Sequence, residues 1–237
     1  MTDKAETFTG FPAETFTGFP AETFTGFPAE TFEFYEQLSA NNTRAWWAEH
    51  KLEYERVVRT PLMALLAALD TEFGSAHVFR PHRDARFSKD KTPLKDHQGA
   101  VVQVEDAIAY YVQISASGLM VGAGWYSPQG QQLRRFRESV DGPVGSQLEV
   151  LLAGLPTRFE RDGRPLATRP RGYDPDNPRI ELLRYRMLVA SSTYPAAPWL
   201  GTHTAFNTVR DDWRALRPLV EWLADHVGPA DDPGSAD

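Results

Sequence analysis

Hydrophobic positions recur at helical spacing in the first third of the chain. The period over residues 32–38 predicts a first helix that begins near Pro28. Thr43 is a suitable N-cap for a second helix over the apolar positions that follow it. Pro61 opens a third helix, and Gly74 ends it. Three helices are therefore expected before any strand.

Apolar and polar positions alternate from residue 107 to 126, which predicts a β-hairpin. The apolar positions from Ile108 to Ile114 share one face, and a turn at Ser117-Gly118 leads into a second alternating run. Gly122 and Gly124 fall on the opposite face of that run. Glycines there indicate close approach of a helix or a ligand, or simple close packing.

The second half of the chain is divided into shorter segments. The pattern predicts helices over 133–140 and 148–155, a helix from 177, and a final amphipathic helix over 209–223. It also predicts two short strands, at 157–161 and 165–169, on either side of the turn at 162–163. Residues 187–194 fit either a strand or a continued helix. Helices at both ends of an antiparallel sheet, with a central hairpin at 107–126, predict an α+β fold.

The octapeptide AETFTGFP occurs three times in tandem, at 5–12, 13–20 and 21–28. Units of eight residues that contain Gly and Pro are too short to stack as a solenoid. Because the copies are identical, we interpret the first two as recent duplicates of a segment that already has a docking place. Phe24 and Phe27 of the third copy are expected to pack on the domain, and the upstream copies to be surplus.

This interpretation divides the chain into three parts. Residues 1–20 are predicted to be an extra tandem-repeat arm, 21–228 a single globular domain, and 229–237 a disordered acidic tail. An upstream copy could also dock on a neighbouring chain, so a homodimer through the repeat arm is a further prediction.

Composition narrows the classes of function. The chain has 237 residues, a net charge of −7 and no cysteine, which argues against a whole-molecule nucleic-acid binder and excludes thiol chemistry. It has no run of 18 apolar residues and no basic N-terminus followed by an apolar run, so we predict a cytoplasmic protein without membrane contact.

Positive charge is concentrated in residues 80–96, where six Lys or Arg face three Asp. Guanidinium and ammonium groups together favour a phosphate or carboxylate ligand. The candidate ligand-binding residues are Arg80, Arg83, Arg86, Lys89 and Lys91. Asp84 and His82 are the candidate catalytic groups. Neighbouring cations disfavour a divalent metal at the histidines, so no metal site is predicted, and no cofactor motif is present.

A family resemblance is carried by this segment. The run Arg80-x-x-Arg83-Asp84-x-Arg86-Phe87-x-x-Asp90-Lys91 resembles the signature of a bacterial family known as domain of unknown function 2461. The similarity extends over about residues 24 to 200. Leu94 stands where that family has Tyr, and Asn177 where it has His. The family has no established activity, so the resemblance implies a shared site at the motif positions without naming a substrate.

Three functions are compatible with these features. The first is an anion-binding pocket for a phosphate- or carboxylate-bearing small molecule, with or without catalysis. The second is a non-catalytic structural or protein-interaction module in which the Arg and Asp side chains pin a loop. The third and weakest is nucleic-acid binding through local basic segments.

Overall fold

The structure, a computed structural model, describes residues 23–84, 90–126 and 130–230. Its α-helices are Ala29–Ala40 (α1), Arg44–Tyr54 (α2), Thr60–Phe73 (α3), Gly130–Asp141 (α4), Gly145–Gly154 (α5), Ile180–Leu183 (α6) and Thr204–His226 (α7). Its strands are Ala76–Val78 (β1), His97–Glu105 (β2), Ile108–Ser115 (β3), Gly118–Trp125 (β4), Glu160–Asp162 (β5) and Leu188–Pro195 (β6). A 3-10 helix, Pro198–Gly201, precedes α7.

The three predicted N-terminal helices are confirmed. Thr43 caps α2, since its Oγ1 accepts a 3.2 Å hydrogen bond from the N–H of Trp46. A π-helical turn, Glu55–Arg59, joins α2 to α3 without a break. Gly74 ends α3 with a φ of 94°, in the region that favours glycine.

The strands form one antiparallel sheet in the order β1-β2-β3-β4-β6-β5. The predicted α+β fold is confirmed, and the β3-β4 hairpin lies at the centre of the sheet. Its turn is formed by Ala116 and Ser117, one residue earlier than predicted, and Gly118 already belongs to β4.

The core lies between one face of this sheet and the helices. Trp213 of α7 has its ring centroid 5.4 Å from Tyr110 and 5.1 Å from Phe73. On the same face, Phe136 of α4 lies 5.3 Å from Trp125, whose partner in β3, Ile108, is two residues from Tyr110. Burial of each such aromatic ring contributes about 1.5–3 kcal/mol.

Gly122 and Gly124 of β4 lie against the backbone of the neighbouring strand β6. A Cβ at Gly124 would lie 2.2 Å from the carbonyl oxygen of Leu188 in β6, and the φ of Gly124 is 141°. A Cβ at Gly122 would lie 2.9 Å from the carbonyl oxygen of Ala190. The close-packing alternative is therefore the correct one for these two positions.

Two strand assignments need correction. Only Glu160–Asp162 of the predicted hairpin forms a strand, and it pairs with β6. Residues 165–169 form no strand, and the N–H of Leu166 bonds instead to the carbonyl of Arg184, which lies outside any strand. Residues 187–194 lie mainly in strand β6, which settles the open alternative. Sequence analysis also missed β1 and β2.

The third copy of the octapeptide packs on the domain. Phe24 and Phe27 are 3% and 0% exposed, which confirms the prediction for these two side chains. The first two copies and the acidic tail from residue 231 lie outside the described residues. Among the described helices, none has the length and apolarity needed to cross a membrane.

Candidate anion-binding site

The charged motif lies on a segment that folds back on itself between β1 and β2. His82 and Leu94 form an isolated antiparallel bridge. Backbone hydrogen bonds of 2.9 and 2.8 Å flank the pair, from the N–H of Arg83 and from the N–H of Lys95. Because these bonds lie on either side of the bridge, the N–H and C=O of Leu94 point away from His82.

Asn42 forms hydrogen bonds with both the N–H and the C=O of Leu94. Its Nδ2 donates to the Leu94 carbonyl at 3.0 Å, and its Oδ1 accepts from the Leu94 N–H at 3.1 Å. The Leu94 side chain is 1% exposed, so this position is a core contact. The α1-α2 junction thus clamps the motif segment to the domain through one amide.

Arg83 belongs to an Arg/Asp network. Its Nη1 is hydrogen-bonded to Oδ2 of Asp90. Oδ1 of Asp90 accepts from the N–H and the hydroxyl of Thr92, at 2.9 and 2.8 Å. These two bonds from Thr92, with a smaller effect of the Arg83 charge, lower the pKa of Asp90. This carboxylate therefore orders the return of the chain toward β2.

His82 lies in a different environment, where three cations act on it electrostatically. Its ring packs edge-on against Trp47 of α2, with centroids 5.8 Å apart. Burial lowers the pKa of His82, and the charges of Arg80, Lys51 and Arg44 lower it further.

The geometry of α2 places two of these cations, Arg44 and Lys51, on either side of Trp47. Arg44 and Lys51 flank Trp47 at positions three before and four after it, so all three side chains share one stripe of α2. We name Arg44, Lys51, Arg80 and His82 the cationic patch. The sequence offered Arg44 either as a capping residue or as a polar contact of a pocket, and Lys51 was not selected, although its spacing from Trp47 was a readable signal.

The remaining predicted residues divide into two groups. Arg80, Asp84 and Lys91 are exposed on the described part of the segment. Arg86 and Lys89 lie outside the described residues, as does Phe87 of the motif. The structure therefore brings Arg80 and His82 together and pairs Arg83 with Asp90.

A polar cavity of about 300 Å³ lies nearby, at the end of the sheet where β2, β3 and β4 meet. Its lining includes Asp96, His97 and Ser115. The imidazole Nδ1–H of His97 donates to Oδ1 of Asp96 at 2.8 Å, and this bond is the main cause of the lowered pKa of Asp96. A carboxylate that orients an imidazole in this way prepares its other nitrogen for proton transfer. The charge of Arg83 makes a smaller contribution to the lowered pKa of Asp96.

Two further polar clusters, around Asp212 and Asn177, contain none of the patch residues. The carboxylate of Asp212, 2% exposed, accepts from Arg158 Nε at 2.8 Å and from the Tyr194 hydroxyl at 2.7 Å. Asn177 donates to Asp141 at 2.5 Å and accepts from the N–H of Arg179 at 2.8 Å. Within the described ranges, no group of three or more His, Cys, Asp or Glu side chains has the arrangement of a metal site.

Comparison with protein-family models matches residues 30–222 to the conserved hypothetical protein family DUF2461. The chain belongs to the DUF2461 family. The matched range begins at the first turn of α1 and ends within the last helix, so it contains the whole sheet and the motif segment. A search of curated proteins found no match to this DUF2461 chain.

Proposed function

We propose that this DUF2461 chain binds a phosphate- or carboxylate-bearing small molecule at the cationic patch. The observation that carries the proposal is the packing of the His82 ring on Trp47, because Arg44 and Lys51 lie on the same stripe of α2 as Trp47. Arg80 lies two residues before His82 on the motif segment. Two of these cations come from α2 and two groups from the motif segment, so the tertiary fold assembles the patch. An anion placed there gains charge-assisted hydrogen bonds, which are stronger than neutral ones.

The exposure of the α2 cations supports ligand binding. Arg44 and Lys51 are exposed and form no ion pair with another described residue. A structural role usually pairs such groups, as the contact between Arg214 and Glu72 does at 2.7 Å elsewhere in the domain. The like charges of Arg44 and Lys51 repel each other, and a bound anion reduces that cost.

Arg83 and Asp90 support the alternative, a structural Arg/Asp network, for their part of the motif. Their hydrogen bond closes the segment that presents Arg80 and His82. We assign Arg83 a positioning role beside the patch. Direct contacts of Arg86, Lys89 and Lys91 with a ligand, and a catalytic role for Asp84 or His82, stay predictions.

The test is a thermal-shift and calorimetric screen with inorganic phosphate, pyrophosphate, nucleotides, phosphosugars and dicarboxylates. Any compound that raises Tm is measured again with Lys51→Gln, and we expect an affinity loss of about tenfold. The matched control is Arg134→Gln, which removes an exposed cation of α4 far along the chain. The proposal is wrong if no anion binds, or if Lys51→Gln and the control bind equally well.

The same material tests the nucleic-acid alternative. Retention on single- and double-stranded DNA is measured between low and physiological salt, because phosphate contacts give a steep salt dependence. If the wild type is retained and Lys51→Gln is not, the cationic patch binds nucleic acid. Absence of retention together with binding of a small anion supports the proposed function.

A further inference from the structure

The N-terminal segment 24–27 lies in a specific groove formed by the start of α3 and the 3-10 helix. Phe24 and Phe27 are buried, and their ring centroids are 5.3 Å apart in an edge-to-face arrangement. The N–H of Phe27 donates to the carbonyl of Leu200 at 2.7 Å. A cavity of about 260 Å³ beside the segment is lined by Pro61, among others.

Gly26 makes this groove selective for its sequence. Its φ is 132°, and a Cβ built there would lie 2.1 Å from the carbonyl carbon of Gly201. Only glycine fits, because any side chain meets backbone that cannot move aside cheaply. The groove therefore recognises Phe-x-Gly-Phe, and Pro28 follows as the N-cap residue of α1.

Every element of that recognition is repeated upstream. The sequence Phe-Thr-Gly-Phe-Pro occurs at 8–12, 16–20 and 24–28. A groove that binds the third copy through these side chains and this glycine cannot distinguish the copies by their chemistry. What distinguishes them is only the length of chain between the docked copy and Ala29, where α1 begins.

We propose that residues 16–20 of the same chain are an alternative occupant of this groove, in a register shifted by eight residues. In that register residues 21–28 form the loop between the docked copy and α1. Closing an eight-residue loop makes docking of the second copy about twentyfold less favourable than docking of the third copy. This figure covers the part of the closure cost that depends on loop length. The third copy is therefore the main occupant, and the second copy replaces it when the third is damaged. This inference does not depend on the proposed anion site.

The experiment compares full-length variants. Phe27→Ala removes the deepest side chain of the third copy, and Phe11→Ala with Phe19→Ala removes the equivalent rings upstream. A Phe→Ala change in a core increases the unfolding constant by about 100-fold or more when nothing replaces the ring. We expect about a twentyfold increase for Phe27→Ala alone, no change for the upstream pair alone, and the full increase only when all three are combined.

Chemical denaturation measures the constants, and light scattering gives the mass of each variant. The proposal is overturned if Phe27→Ala alone and the triple variant are equally destabilised, since the upstream ring would then replace nothing. It is also overturned if Phe27→Ala becomes a dimer as concentration rises, because the occupant would then come from a second chain. A monomer with the expected non-additive pattern supports the shifted register.

Discussion

Replacing Asn42 by alanine should loosen the motif segment without touching any charged residue. The substitution removes both hydrogen bonds to Leu94, at 3.0 and 3.1 Å. Each such bond contributes about 1 kcal/mol net, so the free energy of unfolding should fall by about 2 kcal/mol. For a domain of this size that corresponds to a Tm lower by about 4–8 °C.

Asn41→Ala is the matched control for this substitution. The Asn41 amide is exposed and donates only to the carbonyl of Gln37 within α1, at 3.0 Å, so its loss should cost less than about 1 kcal/mol. Hydrogen exchange adds a local measurement, since the Leu94 amide should exchange faster in Asn42→Ala and not in the control. Equal stability of the two variants, or unchanged exchange at Leu94, would refute the clamp.

Asn42→Asp sharpens the test because it keeps the shape of the side chain. One carboxylate oxygen still accepts from the Leu94 N–H, but the other replaces the donor and faces the Leu94 carbonyl oxygen. At neutral pH we expect a loss of stability at least as large as that of Asn42→Ala. As pH falls through the titration range of the new carboxyl, the protonated form can donate, so the difference from the wild type should shrink.

Three further predictions follow from other parts of the structure. Asp212→Asn should lower the free energy of unfolding by about 2 kcal/mol in denaturation experiments, because a buried carboxylate loses charge-assisted bonds, whereas exposed Asp211→Asn should not. Gly124→Ala should lower the free energy of unfolding by about 3 kcal/mol or more, because the new Cβ separates β4 from β6. Gly130→Ala should be tolerated, since its Cβ position has open space around it, and equal Tm values of the two variants would contradict this. Anion affinity should rise as pH falls below 6.5, the ordinary pKa of histidine, because a bound anion raises the pKa of His82, which burial and cations lower in the free protein. Calorimetric affinities that do not change with pH would contradict this.

Local signals were sufficient for most of the helices and for the central hairpin. Thr43 predicts the start of α2 because a hydroxyl can accept from a free N–H of the first turn wherever the helix lies. The alternation from residue 107 to 126 predicts β3 and β4 because side chains of a strand point alternately to two faces. Strand β2 escaped prediction because residues 98–102 are buried in succession, so the alternation is lost at its centre.

The sequence predicted only part of the candidate site, because some of the contacts join residues that are far apart along the chain. The motif is continuous in sequence, so Arg80, His82 and Arg83 could be selected as candidates. Whether each binds a ligand or a neighbour depends on contacts that the sequence does not contain. Arg83 pairs with Asp90, and His82 instead packs on Trp47 of a helix about 35 residues earlier.

The sequence by itself determined where the first three helices begin, which residues form the central hairpin, and that the third octapeptide contains the rings that dock. These are consequences of capping, period and side-chain type, which act over a few residues. Only the tertiary structure decided that α2 contributes Arg44 and Lys51 to the patch, that Asn42 clamps Leu94, and that Gly26 must pass against Gly201. Such contacts depend on how separate elements pack, and packing is a property of the whole core.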